Sequence, residues 1–356
     1  MNLKTGTLAW IIAATLLAHA TGRCWDYEGH RMVNQLALAS LPTNFPAFVL
    51  TPEARERIAF LAGEPDRWRN TTDLTLKHFN GPDHYFDVED IATLGMDVHQ
   101  LSPFRYEFTA QVAAKRAKVA SSLPAIDPSK NLDHTKELTG LLPWTITEFY
   151  GKLKSSFSHL KTFEEAGTPE EVANARQNVL YIMGVMGHFV GDGAQPLHMT
   201  IHYNGWIGAN PHHYSTNKTI HLWIDGGYLE YAGITTARLQ GKVQPAAVLI
   251  QETRAHPTNL FPVVLNYLLD QYKLVEPLYT LERDGKLSGR KPVTDEGYQF
   301  ITGQLLKSGQ MLGSIWMTAW QNATPDTYLR NELAKRRFAK EKSLSAPAEE
   351  KKKEDK

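Results

Sequence analysis

The sequence predicts an all-α, single-domain helical bundle, and three observations carry that prediction. Apolar residues recur at helical spacing along most of the chain. Helix-start signals such as Thr51-Pro52-Glu53 stand in front of the periodic stretches. No stretch shows sustained strand alternation, an internal repeat, a phosphate-cradling glycine loop or a G-x-S-x-G elbow. Helices alone must then bury the apolar surface, which means helix-on-helix packing.

In chain order, residues 1–24 read as a cleaved secretory signal: Lys4, an apolar run from Leu8 to about Ala18, then small residues. The run is too short to span a bilayer. Cys24 is the only cysteine, so stability must come from packing and metal rather than disulfides. Arg23 stands where a lipoprotein signal requires a small residue, which argues against lipidation. The expected product is a secreted or periplasmic monomer without stable membrane insertion, its folded domain covering residues 25–340.

The mature chain opens with a helix over Glu28 to Leu41, apolar at Met32, Val33, Leu36 and Ala37, followed by one from Pro52 to about Ala62. From Gly63 to Asp90 the composition is that of a functional loop, and residues 91–140 mix short patterns with polar stretches. Helices are expected over Pro143 to Leu160, Pro169 to Val190 and Ile220 to Tyr231. Two long amphipathic helices follow, Asn259 to Leu281 and Thr294 to Asn322, then a last one from Pro325 to Lys340. The charged residues 341–356 read as a disordered tail.

With 38 Lys plus Arg against 38 Asp plus Glu, the formal net charge is zero. A broad basic surface for duplex DNA is therefore not indicated, although bound metal would add positive charge to that count. Single-strand binding can rest instead on stacking and metal-to-phosphate contacts.

Chemistry concentrates in His188 to His198, H-F-V-G-D-G-A-Q-P-L-H. His188 and Asp192 share one helical face, Pro196 stops the helix, and His198 comes just past the turn. His221 and Asp225 repeat the His-x3-Asp spacing inside H-L-W-I-D. Imidazoles and carboxylates on an apolar scaffold are costly unless paired or bound to metal. Nitrogen and oxygen donors without thiolate point to zinc ahead of manganese or iron.

Five pieces, W-D-Y-E-G-H (Trp25 to His30), E-P-D-R-W-R (Glu64 to Arg69), H-Y-F-D (His84 to Asp87) and the two histidine motifs, occur in the order found in a known family. In these pieces the chain resembles the zinc-dependent single-strand nucleases, the nuclease S-one/P-one family, whose helical fold and three-zinc site are shared with bacterial zinc phospholipase C. The resemblance covers residues 25 to 225. It departs from the family at Glu64, where an aromatic residue is usual, and in segment 91–140, which is longer than family members carry.

The resemblance implies three zinc ions. One would be held by Asp66, His84, His188 and Asp192, and a second by His198, His221 and Asp225. The third would be held by the amine and carbonyl of Trp25 with His30, sharing Asp192. It further implies that Asp66 orients an attacking water, that Arg69 offsets phosphoryl charge, that Tyr85 stacks on a nucleobase and that Asp87 accepts from the base edge. His212 and His213 are rival ligands, and His78 rivals His84; His99, His134, His159 and His256 lack a partner at ligand spacing.

The implied activity is an endonuclease on single-stranded DNA and RNA, with 3′-nucleotidase activity, that leaves 5′-phosphates. A phospholipase C and a non-catalytic zinc-stabilised protein are the alternatives. Closed structural zinc sites take four protein ligands, whereas this set leaves positions open. Asn70, Asn217 and Asn322 begin Asn-x-Thr glycan acceptors.

Overall fold

The computed structural model describes residues 25–252 and 259–345. The expected signal segment, His256 and residues 346–356 of the expected tail lie outside the described residues.

Helix α1 (Tyr27–Ser40) starts at Asp26, whose side chain accepts from the Gly29 amide, and buries Met32, Val33, Leu36 and Ala37 as its spacing predicts. Helix α2 (Pro52–Leu61) is capped by the Thr51 side chain and carries proline in its first turn. Contrary to the loop reading of Gly63 to Asp90, that stretch is largely helical. It folds as α3 (Glu64–Arg69), α4 (Leu74–Asn80), a 3-10 turn over Gly81–His84, and the start of α5 (Val88–Thr93). Pro65 opens α3, and the Asp73 side chain caps α4 by accepting from Leu76 N at 3.0 Å. Helices this short are marginal in isolation and depend on the scaffold.

Helix α6 (Arg105–Val119) lies within segment 91–140. The central pair is α7 (Leu142–Ala166) and α8 (Pro169–Ala194), the latter opened by a capping box between Thr168 and Glu171. Every residue from Met183 to Thr200 is buried. The C-terminal half of α8 is thus wrapped on all sides, by α1, α2 and α7 among others. Asn34 ties three of these elements together, its amide donating to Ile58 O at 2.7 Å and to Gly184 O at 2.9 Å.

Past the 3-10 turn Pro196–Met199, the chain reaches α9 (Ile220–Leu222), a π turn over Trp223–Gly227, α10 (Tyr228–Tyr231) and α11 (Thr236–Leu239). The expected single helix from Asn259 to Leu281 is two, α12 (Phe261–Tyr272) and α13 (Val275–Arg283). Pro277 has no N–H to offer the Lys273 carbonyl, which favours a break in the helix just before α13. Helix α14 (Asp295–Asn322) packs on α1, α7 and α8 and completes the core. The last helix, α15 (Thr327–Ser345), continues past Lys340 through the first residues of the expected tail. Among the described residues there is no strand, and no helix is long and apolar enough to cross a membrane.

Candidate metal centre

The C-terminal end of α8 carries the centre. His188 and Asp192 lie one turn apart on its buried interior, and Gln195, whose side chain accepts from Leu197 N at 2.8 Å, starts the turn that brings His198 back. His84 ends the Gly81–His84 turn, and Asp66 comes from α3. His221 sits in α9, and Asp225 in the π turn, a geometry that recurs at functional sites.

Three clusters of His and Asp side chains result, each with ligand atoms close enough to hold one metal ion: His30, His188 and Asp192; Asp66, His84 and His188; His198, His221 and Asp225. In the second of these, His188 Nδ1 donates to Ala62 O at 2.8 Å, which leaves the Nε2 lone pair facing inward. Around that atom stand His84 Nδ1 at 3.0 Å, Asp192 Oδ2 at 3.3 Å and Asp66 Oδ1 at 3.8 Å. His84 Nδ1 is 2.9 Å from Asp192 Oδ2. Nitrogen and oxygen donors held about 2.05 Å from a tetrahedral zinc would be separated by about 3.3 Å, so these spacings fit such an ion.

The cluster of His198, His221 and Asp225 makes a sharper case. His198 Nδ1 donates to His84 O at 2.6 Å and His221 Nδ1 donates to Tyr203 O at 3.1 Å. Both Nε2 atoms therefore carry lone pairs in the neutral ring, yet they stand 3.1 Å apart. Two lone pairs facing each other repel, and a cation between them removes the conflict. Asp225 Oδ2 lies 2.8 Å from His221 Nε2 and supplies the third donor.

At His30 neither ring nitrogen has a hydrogen-bond partner, and Asp192 Oδ1 has none either. These two atoms sit 3.4 Å apart, His30 Nε2 to Asp192 Oδ1, with the His30 ring stacked on His188 at 3.7 Å. Leaving such buried polar atoms unmet costs about 1–3 kcal/mol each. A Cβ on Gly191 would lie 2.9 Å from His30 Nδ1, so a side chain at that position would crowd His30 off Asp192. Trp25 is fully buried, and its indole donates to Gly191 O at 2.9 Å, which pins the segment before α1 beside Asp192. His188 thus belongs to two clusters, whereas the ligand-by-ligand assignment from the sequence gave it to one.

Electrostatics favour the metal-binding protonation states of His30, His84, His198, Asp66 and Asp192. Burial, then neighbouring charge, holds His30 well below the usual histidine value and lowers His84 to about 4, and burial lowers His198 to about 4. Burial alone would raise Asp66, but His188, Arg69 and His84 outweigh it and bring it down to about 2. Asp192 is likewise driven well below its ordinary value because His188 and His198 outweigh burial. His188 is the exception among these histidines: burial lowers it, but Asp192 and Asp66 together raise it. Arg69 Nε lies 2.8 Å from Asp66 Oδ1, linking the sequence-predicted arginine directly to a cluster carboxylate.

A cleft of about 410 Å³ opens beside the clusters, and Arg69, Tyr85, Asp87, His198, Tyr203 and His221 are among the residues lining it. Tyr85 has extended backbone, so side chains alternate: Tyr85 and Asp87 reach the cleft half-buried, while Phe86 between them is fully buried with its ring edge on Trp144. Burial raises the Tyr85 phenol, and burial with Asp90 and Glu89 raises Asp87 well above the ordinary carboxylate value. A larger cavity, about 550 Å³, is lined by Trp68, Phe79, Arg105, Phe149 and Tyr181, among others, and holds no side chain of the three clusters.

The rival histidines fall away from the centre. His78 Nδ1 donates to Asp133 O at 2.7 Å, His212 and His213 are exposed, and His159 lies 3.3 Å from Asp326. Gln195 was not singled out in the sequence. Its amide donates to Asp225 Oδ1 at 2.5 Å and so fixes the carboxylate facing His221; its place inside the His188–His198 motif was the available signal.

No protein-family model matches this chain, and no curated protein or solved structure matches it.

Proposed function

We propose that the protein is a secreted, zinc-dependent phosphodiesterase that cleaves single-stranded DNA and RNA and removes 3′-phosphates from nucleotides. The observation that carries this reading is the single cleft in which Tyr85 and Asp87 stand beside Arg69, His198 and His221. An aromatic face, a hydrogen-bonding carboxyl and a metal-ligand wall are what a base-bearing phosphodiester needs.

In this reading Asp66, His84, His188 and Asp192 hold one ion and His198, His221 and Asp225 another. His30 and Asp192 hold the third with the Trp25 backbone, once the preceding residues are removed. Zinc in these positions would supply a water of lowered pKa and a positive field for the phosphoryl oxygens.

The chain's own groups do the remainder. Asp66, held ionised by its cationic neighbours, accepts a hydrogen bond from the attacking water and aims it. Arg69, tied to Asp66, presents its guanidinium to charge building on the phosphoryl group. Tyr85 stacks on the base, and Asp87 accepts a hydrogen bond from the base edge.

A substrate panel on the purified mature chain tests the proposal: single-stranded DNA, RNA, 3′-nucleotides and phosphatidylcholine. The proposal expects cleavage of the first three with 5′-phosphate ends on polynucleotides. Faster hydrolysis of phosphatidylcholine than of any polynucleotide would replace it with a phospholipase C.

A further inference from the structure

The unusual segment 91–140 folds back to become a wall of the cleft. After α6 the chain runs to a loop closed by Asn131, whose side chain donates to Glu137 at 2.7 Å and accepts from Lys136 N at 3.0 Å. Helix α4 holds this loop from one side: His78 bonds the Asp133 carbonyl, and Lys77 Nζ lies 3.5 Å from Asp133 Oδ2. On the other side the chain presses on the extended segment at Tyr85, with Asp87 N donating to Thr139 O at 2.8 Å and Leu142 N to Tyr85 O at 3.2 Å. At Gly140, where φ is +87°, a Cβ would stand 2.1 Å from Tyr85 O, so glycine alone permits this approach.

This arm brings Lys130 and Lys136 into the lining of the same cleft as Arg69, Lys77, Tyr85 and His198. Both lysines are exposed. Lys130 has a partner in Asp127 at 3.5 Å, but that pair is solvent-exposed and worth little. Of the carboxylates lining the cleft, Asp133 is offset by Lys77, and burial, with neighbouring acids, raises the Asp87 and Asp90 carboxyls above their ordinary values and so disfavours their charged forms. The cleft lining thus carries four cations, Arg69, Lys77, Lys130 and Lys136, against three carboxylates, Asp87, Asp90 and Asp133, and the arm supplies the two exposed lysines.

We propose that Lys130 and Lys136 receive phosphates of a polyanionic strand beyond the one being cleaved, so that the arm selects oligonucleotides over mononucleotides. This inference rests on the phosphodiesterase reading of the cleft. Lysine suits the task as a mobile point charge that follows a flexible backbone without reading bases.

The test compares the mature protein with the double variant Lys130→Gln, Lys136→Gln, both with metal content verified. KM for a short single-stranded oligonucleotide is measured at 50 and 200 mM salt, together with kcat/KM for a 3′-mononucleotide. Each phosphate contact on a single strand contributes a salt slope of about 0.7. Removing two contacts makes the variant's KM rise about sevenfold less than the wild type's over that interval. The ratio of kcat/KM for oligonucleotide over mononucleotide falls with it. If the wild type cleaves oligonucleotides and the variant keeps the same KM and salt slope, the arm lysines take no phosphate while the phosphodiesterase reading stands. If the wild type cleaves no nucleic acid or nucleotide, that reading fails and this inference fails with it.

Discussion

The Nε2 atoms of His198 and His221 face each other at 3.1 Å while both Nδ1 atoms donate to main-chain carbonyls. With both rings neutral such a pair has no hydrogen to share, and a cation between the rings would remove the repulsion of the facing lone pairs. His221→Ala should therefore remove metal binding at the cluster with His198 and Asp225 and abolish the proposed phosphodiesterase activity. Where free metal stands at a thousandfold its Kd, binding contributes about 4 kcal/mol of stability. Thermal melts with and without a chelator check this, since the chelator should lower Tm far more for the wild type than for the variant. Equal chelator shifts would mean that this site holds no ion.

Gln195 positions Asp225 through its hydrogen bond without itself belonging to the cluster. Gln195→Ala should weaken metal at the His198–His221–Asp225 site about 10- to 100-fold, the usual effect of losing such a partner. Chelator competition, which reads affinity site by site, is the measurement. Unchanged affinity with lowered Tm would reduce Gln195 to a structural role.

Tyr85→Ala addresses substrate class. Stacking worth roughly 1–3 kcal/mol per base converts to a KM increase of roughly 5- to 150-fold on single-stranded nucleic acid. Zinc content should not change, and a phosphodiester lacking a base should suffer no comparable loss. An unchanged KM on nucleic acid would remove base stacking from the account.

Glu171 supplies a pH signature remote from the metal. Arg336 and the Thr168 amide hold its carboxyl down at about 2, against an ordinary 4.5. A depressed folded-state value contributes stability that is present above the unfolded value and lost as pH falls through the folded one. Glu171→Gln keeps a side chain able to complete the Thr168 capping box but removes the charge. The Tm difference between wild type and variant should thus be constant above about pH 5 and shrink as the pH drops toward about 2. A difference that grows on acidification would contradict this.

Much of the centre was legible because its ligands follow local rules. The His-x3-Asp spacing puts His188 with Asp192, and His221 with Asp225, on single faces whatever the rest of the chain does. His30, Asp66 and His84 were reachable only through family resemblance, since the contacts that place them, with Asp192 and His188 far along the chain, leave no mark in their own neighbourhoods. Short helices α3 and α4 were hidden for a related reason: their composition is loop-like, and the scaffold rather than periodicity holds them. The break between α12 and α13 was readable at Pro277 but masked by apolar periodicity running through it. The arm of segment 91–140 was least legible, since it is organised by side-chain to main-chain bonds such as those of Asn131 and His78.

The metal content of the mature protein, purified without added metal or chelator, tests the central claim most directly. Elemental analysis should find three zinc ions per chain, one for each cluster of His and Asp side chains. A chain that is fully folded and active with one ion or none would contradict the account.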